Sequence, residues 1–143
     1  AIVESGDAKR GRQIFLSRRA ACVNCHRVGN DGADVGPALT AIGARRSRRD
    51  LVEAIVFPSA SIARGFESYT VTTDVGKVHT GAIVRQTSDS LHLRTTDQQE
   101  FRIARKSVDE IVPSPVSIMP QGLDQTLQPR ELADLVAYLQ SLR

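Results

Sequence analysis

Cys22, Cys25 and His26 stand together as Cys-Val-Asn-Cys-His, and the chain of 143 residues has no cysteine beyond these two. No other feature constrains the fold as strongly. A bridge between Cys22 and Cys25 would close only a tiny loop, which does little for stability. The pair is there for chemistry. Two sulfurs followed at once by an imidazole can attach a haem, begin a zinc site or form a thiol–disulfide switch.

A structural zinc site takes about four protein ligands, commonly from two paired motifs. Here the remaining histidines, His79 and His92, lie alone on predicted strands, and there is no second Cys-x-x-Cys. A thioredoxin-like switch places its Cys-x-x-Cys at the end of a strand, opening a helix within a βαβ pattern. In this chain a helix precedes the motif and a glycine-rich loop follows. Cys-x-x-Cys-His is the attachment pattern of c-type haem. Two intervening residues bring both sulfurs to the vinyl groups on one edge of a porphyrin. The adjacent imidazole can then swing beneath the ring, its Nε2 toward iron.

The surrounding pattern is mixed. "DAKRGRQIFL" reads as a helix from Asp7 to about Leu16, with Asp7 capping it and Gly11, Ile14 and Phe15 on one face. Glycine inside a helix costs roughly 1 kcal/mol against alanine, and a close helix crossing is the usual compensation. "VGNDGADVGPALTAIGARR" reads as mostly loop. "SRRDLVEAIVFP" reads as a helix capped by Ser47, striped by Leu51, Ile55 and Val56, and stopped by Pro58. From Gly65 onward "FESYTVTT", "KVHTGAIVR", "SLHLRTT" and "EFRIARK" predict an antiparallel meander of about four strands. Leu91 and Leu93 share a face opposite His92. A proline-rich loop, "VPSPVSIMPQG", carries the single methionine, Met119, and "QPRELADLVAYLQSL" closes the chain as an amphipathic helix with Pro129 in its first turn.

Composition sets outer limits. Aromatic residues make up 4% of the chain and tryptophan is absent, so a large flat cofactor would help to fill the interior. No run of eighteen apolar residues exists, so no transmembrane segment is expected. The N-terminal "AIVESGDAKRG" lacks the regions of a signal peptide, and an exported protein would have lost its signal or be a domain of a longer chain. The formal charge is +3, with arginines gathered at Arg10/Arg12, Arg18/Arg19 and Arg45, Arg46, Arg48 and Arg49. Such a run reads first as a solvated face and next as a docking face for an acidic protein partner. Neither a nucleic-acid module nor stacking aromatics accompany it, so no nucleic acid is expected.

A lone methionine ordinarily fills a gap in a core. Here the order His26, Met119, final helix, with Pro120 stiffening the loop, favours a second axial ligand. A thioether is a soft, weak ligand that favours ferrous iron and raises the reduction potential. His79 or His92 standing in for Met119 is the alternative.

These residues resemble the mono-haem class I cytochromes c. The likeness rests on Gly11 and Phe15, on Cys22, Cys25 and His26, on "GPAL" at Gly36–Leu39, on Arg45 and Met119, and on the Tyr138-bearing last helix. It implies that the first and last helices cross at Gly11 against Tyr138. It further implies that the Pro37 carbonyl accepts the Nδ1 proton of His26, and that Arg45 meets a haem propionate. Leu39, Ile42, Leu51 and Ile55 would pack against the haem or the helices around it. A closer resemblance covers nearly the whole chain through "GPALTAIGARR", "PSASI", "GAIV" and "SIMPQGL". It is similar to the haem-binding domain of planctomycetes and verrucomicrobia, often the C-terminal part of large exported proteins with dehydrogenase-like propellers.

The expectation is an α+β fold: the class I cytochrome c helical fold with an inserted antiparallel β-meander before the Met-ligand loop. It forms one domain, 1–143, with the insertion at about 66–112. One haem c per chain would be held by Cys22 and Cys25, with iron between His26 and Met119. Pro37, Leu39 and Arg45 would surround it. The implied role is a one-electron Fe(II)/Fe(III) relay in the periplasm or another exported location. It would serve redox protein partners, between a dehydrogenase and a respiratory acceptor, and is itself no enzyme unless as a domain of a larger dehydrogenase. The meander reads as a lid over one haem edge or as a docking surface; oligomeric state is not legible. The rival is a haem gas sensor or peroxidase-like protein with Met119 off the iron.

Overall fold

Asp7 starts the first helix by accepting the backbone N–H of Arg10 at 2.8 Å, so α1 runs Ala8–Leu16 with Gly11, Ile14 and Phe15 buried. The structure, a computed structural model, describes residues 5–143. The first four residues, part of the stretch read for a signal peptide, lie outside the described residues. The chain divides into two compact units, one comprising the chain up to Ser61 together with Gln121–Arg143, the other Ile62–Pro120.

The first unit is helical. After α1 come a 3₁₀ turn at Cys22–Asn24, α2 at Ile42–Arg45, α3 at Arg48–Val56, α4 at Leu123–Thr126 and α5 at Pro129–Ser141. Ser47 and Asp50 form a reciprocal capping box on α3, and Pro129 stands at the first-turn position of α5. The short helix α2 lies within the segment read as mostly loop. Two glycines stand in its neighbourhood, which hid the turn from propensity, yet Gly43 packs on the C-terminal end of α5 and donates to Leu142 O at 2.7 Å.

α1 lies against α5. A Cβ built on Gly11 would stand 2.6 Å from the Asp134 carbonyl carbon and 2.7 Å from Tyr138 Cβ. The glycine is therefore the condition for the crossing, which outweighs its propensity cost. Phe15 and Tyr138 meet as a tilted ring pair, centroids 5.5 Å apart. Asp134, 2% exposed, ties the same junction by accepting from Asp7 N at 2.7 Å and from Arg10 at 2.8 and 3.1 Å. Leu51, Ile55, Leu132, Leu135, Val136 and Leu139 are buried in this unit.

The second unit is an antiparallel sheet of β1 Ser68–Thr73, β2 Val78–Gln86, β3 Ser90–Arg94, β4 Glu100–Ala104 and β5 Val108–Ser114. The first four strands follow one another as expected. The fifth corrects the four-strand meander: the order is β4-β3-β2-β1-β5, so the last strand crosses back to pair with β1. A 3₁₀ turn at Arg105–Ser107 redirects the chain, and Asp74 N–H donates to Ser107 O at 2.9 Å beside it. β5 escaped the sequence reading because it lies on a sheet edge. Most of its residues are exposed, so "VDEIVPS" shows no inward–outward alternation, and Pro113 is tolerated there. Val71, Leu93 and Ile103 make the core, with Ile83 and Val108 against it. Leu91 and Leu93 are both buried.

Candidate functional site

The end of α1 sets up the cysteine turn. Ser17 caps the helix, its hydroxyl donating to Ile14 O at 2.7 Å, and Ala21 N–H returns to Ser17 O at 2.7 Å. Ala21 then takes a left-handed φ of 53°, uncommon for a residue with a side chain. That reversal throws Cys22–Asn24 into the 3₁₀ turn. Cys22 O accepts from Cys25 N at 3.2 Å and from His26 N at 2.9 Å, so both cysteines and the histidine belong to one tight turn. All three are half-buried.

The glycine-rich segment that follows folds back over this turn. Val23 O accepts from Ala33 N at 3.2 Å, Cys25 O from Val35 and Gly36 at 3.0 and 2.7 Å, and Arg27 O from Leu39 at 2.8 Å. The Arg27 guanidinium fastens the loop from outside, bonding Asp34 and Gly29 O at 2.9 Å each. Gly36 lies flat on the imidazole: a Cβ there would be 2.6 Å from His26 Cε1 and 3.0 Å from Nδ1.

His26 Nδ1 lies 2.7 Å from Pro37 O. A carbonyl can only accept, so Nδ1 carries the proton and donates it. The neutral ring then has its lone pair on Nε2, the tautomer a metal ligand needs. Burial pushes the imidazole below its ordinary pKa, and the bond to Pro37 opposes that shift in part. Burial also pushes the Cys22 thiol up to about 11. It is thus a neutral thiol at neutral pH, the opposite of the lowered thiolate on which a redox switch depends.

Cys22, Cys25, His26, Pro37 and Leu39 come together in the first unit. Arg45, also there, is exposed at the end of α2. Met119 belongs to the second unit, half-buried, its N–H donating to Ser117 Oγ at 3.1 Å. His79 and His92, alone on their strands as read, are half-buried. His79 stacks on Phe101 with ring centroids 4.9 Å apart, and His92 Nε2 is 3.3 Å from Ser90 Oγ. Sequence reasoning missed Gly36 as the spacer on the imidazole and Arg27–Asp34 as the clasp; the run of glycines signalled only a loop. Among the described residues, no three His, Cys, Asp or Glu side chains converge as a metal-ion site, and no helix is long and apolar enough to cross a membrane.

Known proteins point the same way. The family model described as cytochrome c matches residues 8–90, which include the whole cysteine turn and its covering loop. A curated relative, a cytochrome c-553-like protein of Synechocystis sp. (strain ATCC 27184 / PCC 6803 / Kazusa), is 41% identical over 51 residues. That stretch is 36% of this chain and 45% of the relative, so the chain matches less than half of that protein's length.

Proposed function

This chain belongs to the cytochrome c family and carries covalently bound haem c, and from that premise we propose that it relays single electrons with iron held between His26 and Met119. The residues of the cysteine turn fit the group. Cys22 and Cys25 share one turn of backbone, as two thioether links to one porphyrin edge require, and His26 follows with Nε2 unprotonated. Bound there, the haem supplies the one-electron Fe(II)/Fe(III) couple.

The chain's own part is to hold that couple steady. Pro37 O keeps the Nδ1 proton, fixing the ring and raising the basicity of Nε2. Loop 33–39, bonded to the turn itself, screens this histidine from water. Met119 would contribute the opposite thioether, Leu39 apolar packing, and Arg45 a cation for a propionate. Held by His26 and Met119 together, the iron would offer a substrate no free position, which suits a carrier. The sheet-bearing unit is read as the insertion of the planctomycete and verrucomicrobial subtype, and the whole as one domain. Haem attachment follows export, so the location is periplasmic or otherwise exported. The partners are redox proteins, a dehydrogenase on one side and a respiratory acceptor on the other.

The observation that carries this reading is the 2.7 Å bond from His26 Nδ1 to Pro37 O, because it presents Nε2 and nothing else as the donor. The test is the optical spectrum of haem-loaded protein with and without carbon monoxide. A methionine–iron charge-transfer band in the ferric form, with no rapid CO binding to the ferrous form, is expected. Rapid CO binding by unaltered protein would instead identify the gas-sensor alternative. Met119→Ala should open the site and lower the potential; an unchanged potential removes Met119 from the iron.

A further inference from the structure

We propose that the outer face of α3 docks an acidic segment of a partner protein that presents an apolar anchor. The inference deepens the electron-carrier reading, on which it rests, by naming the surface and the chemistry of its partner. Leu51 and Ile55 on one side of α3 are buried. On another side Arg48, Arg49, Val52, Glu53, Val56 and Phe57 line an open groove of about 710 Å³. Phe57 is 58% exposed, and its backbone closes α3, the N–H donating to Glu53 O at 2.8 Å. An exposed aromatic on a held backbone, beside two half-buried valines, is what an interface anchor needs.

Charge gives the groove a direction. Arg46, Arg48 and Arg49 crowd its N-terminal end, where the helix dipole adds further positive potential. Asp50, whose carboxylate accepts from Ser47 N–H and hydroxyl at 3.0 and 2.8 Å and feels Arg46 and Arg49, offsets one of these three charges and leaves the end positive. Glu53 lies farther along and repels a second carboxylate there. The complementary partner therefore sets its acids at the arginine end and its apolar side chain between Val52, Val56 and Phe57. A bare polyanion such as nucleic acid satisfies only the first half of that pattern.

The test uses haem-loaded protein and three probes, poly-glutamate, a glutamate–tyrosine copolymer and poly-deoxythymidine, titrated calorimetrically at low and moderate salt. The copolymer should bind about tenfold more tightly than poly-glutamate, since only it can fill the apolar half. Phe57→Ser should erase that preference while leaving charge-driven binding. Arg46→Gln with Arg49→Gln should weaken both glutamate polymers and flatten their salt dependence. All three positions are exposed, and thermal melts will show that the variants stay folded. Equal affinity for the two glutamate polymers, tightest binding of poly-deoxythymidine, no binding at all, or indifference to Phe57 overturns the proposal. A His/Met spectrum without copolymer preference refutes the groove alone. Copolymer preference in a chain whose potential ignores Met119→Ala supports the groove and refutes only the ligation.

Discussion

Gly36→Ala places one methyl group against the ring that matters most. Its backbone is not in the left-handed region, so alanine adds no torsional strain and the effect is purely one of contact. The new Cβ would stand 2.6 Å from His26 Cε1, whereas carbon atoms settle at about 3.5–4.0 Å. Ring and loop must separate by about 1 Å. The loop cannot simply lift, because Gly36 N–H is bonded to Cys25 O at 2.7 Å, within the turn that carries His26. The 2.7 Å bond to Pro37 O is the contact that gives way. Its net loss costs about 0.5–1.5 kcal/mol, and a half-buried N–H left unpaired brings the total to about 1–3 kcal/mol. With His26 on the iron as proposed, weakening that bond would also make Nε2 a poorer donor, so ferric iron would be less stabilised and the potential would rise. Denaturant unfolding, the midpoint potential and the proton resonance of His26 Nδ1–H measure the three effects on haem-loaded protein. Unchanged stability with an unchanged Nδ1–H resonance would refute the argument that this glycine positions the ligand.

Gly11→Ala should destabilise by about 1–3 kcal/mol in thermal melts, because overpacking against Asp134 and Tyr138 exceeds the roughly 1 kcal/mol helix gain. Asp134→Asn should cost about 1–3 kcal/mol by leaving the donors at Asp7 and Arg10 poorly matched. The Arg10 guanidinium, hydrogen-bonded to Asp134, holds that carboxyl below the usual carboxylate range, and burial opposes the shift. Its stabilisation is therefore complete above the unfolded pKa of about 4 and is lost as pH falls through the lower folded value. The acid limb of stability against pH should be shallower in Asp134→Asn; an unchanged limb would show the carboxyl to be unshifted. Leu93→Ala, at a fully buried core position of the sheet, should cost about 2–5 kcal/mol, read as lost amide protection across β1–β4.

Much of the helical unit was legible from local signals. Asp7, Ser47 and Pro129 mark helix starts through bonds or torsions reaching no farther than one turn, and all three stand where the pattern puts them. The Cys-x-x-Cys-His spacing likewise encodes its own chemistry, because two sulfurs and an imidazole must share one turn of backbone. Gly11 announced a close crossing through its cost, and α5 supplies it.

Other features exist only once distant segments meet. β5 carries no periodic signal, since an edge strand whose residues are mostly exposed owes its place to backbone pairing with β1, and backbone groups are alike in every sequence. Asp134 looks like one acid among many until α1 brings Arg10 and Asp7 to it across the chain. The tautomer of His26 depends on a carbonyl eleven residues away, next to a glycine that fits there because it has no side chain. Composition and spacing thus chose the cofactor. Tertiary packing decided which imidazole nitrogen keeps its proton, because that choice rests on the distance between two backbone segments, which no local pattern contains.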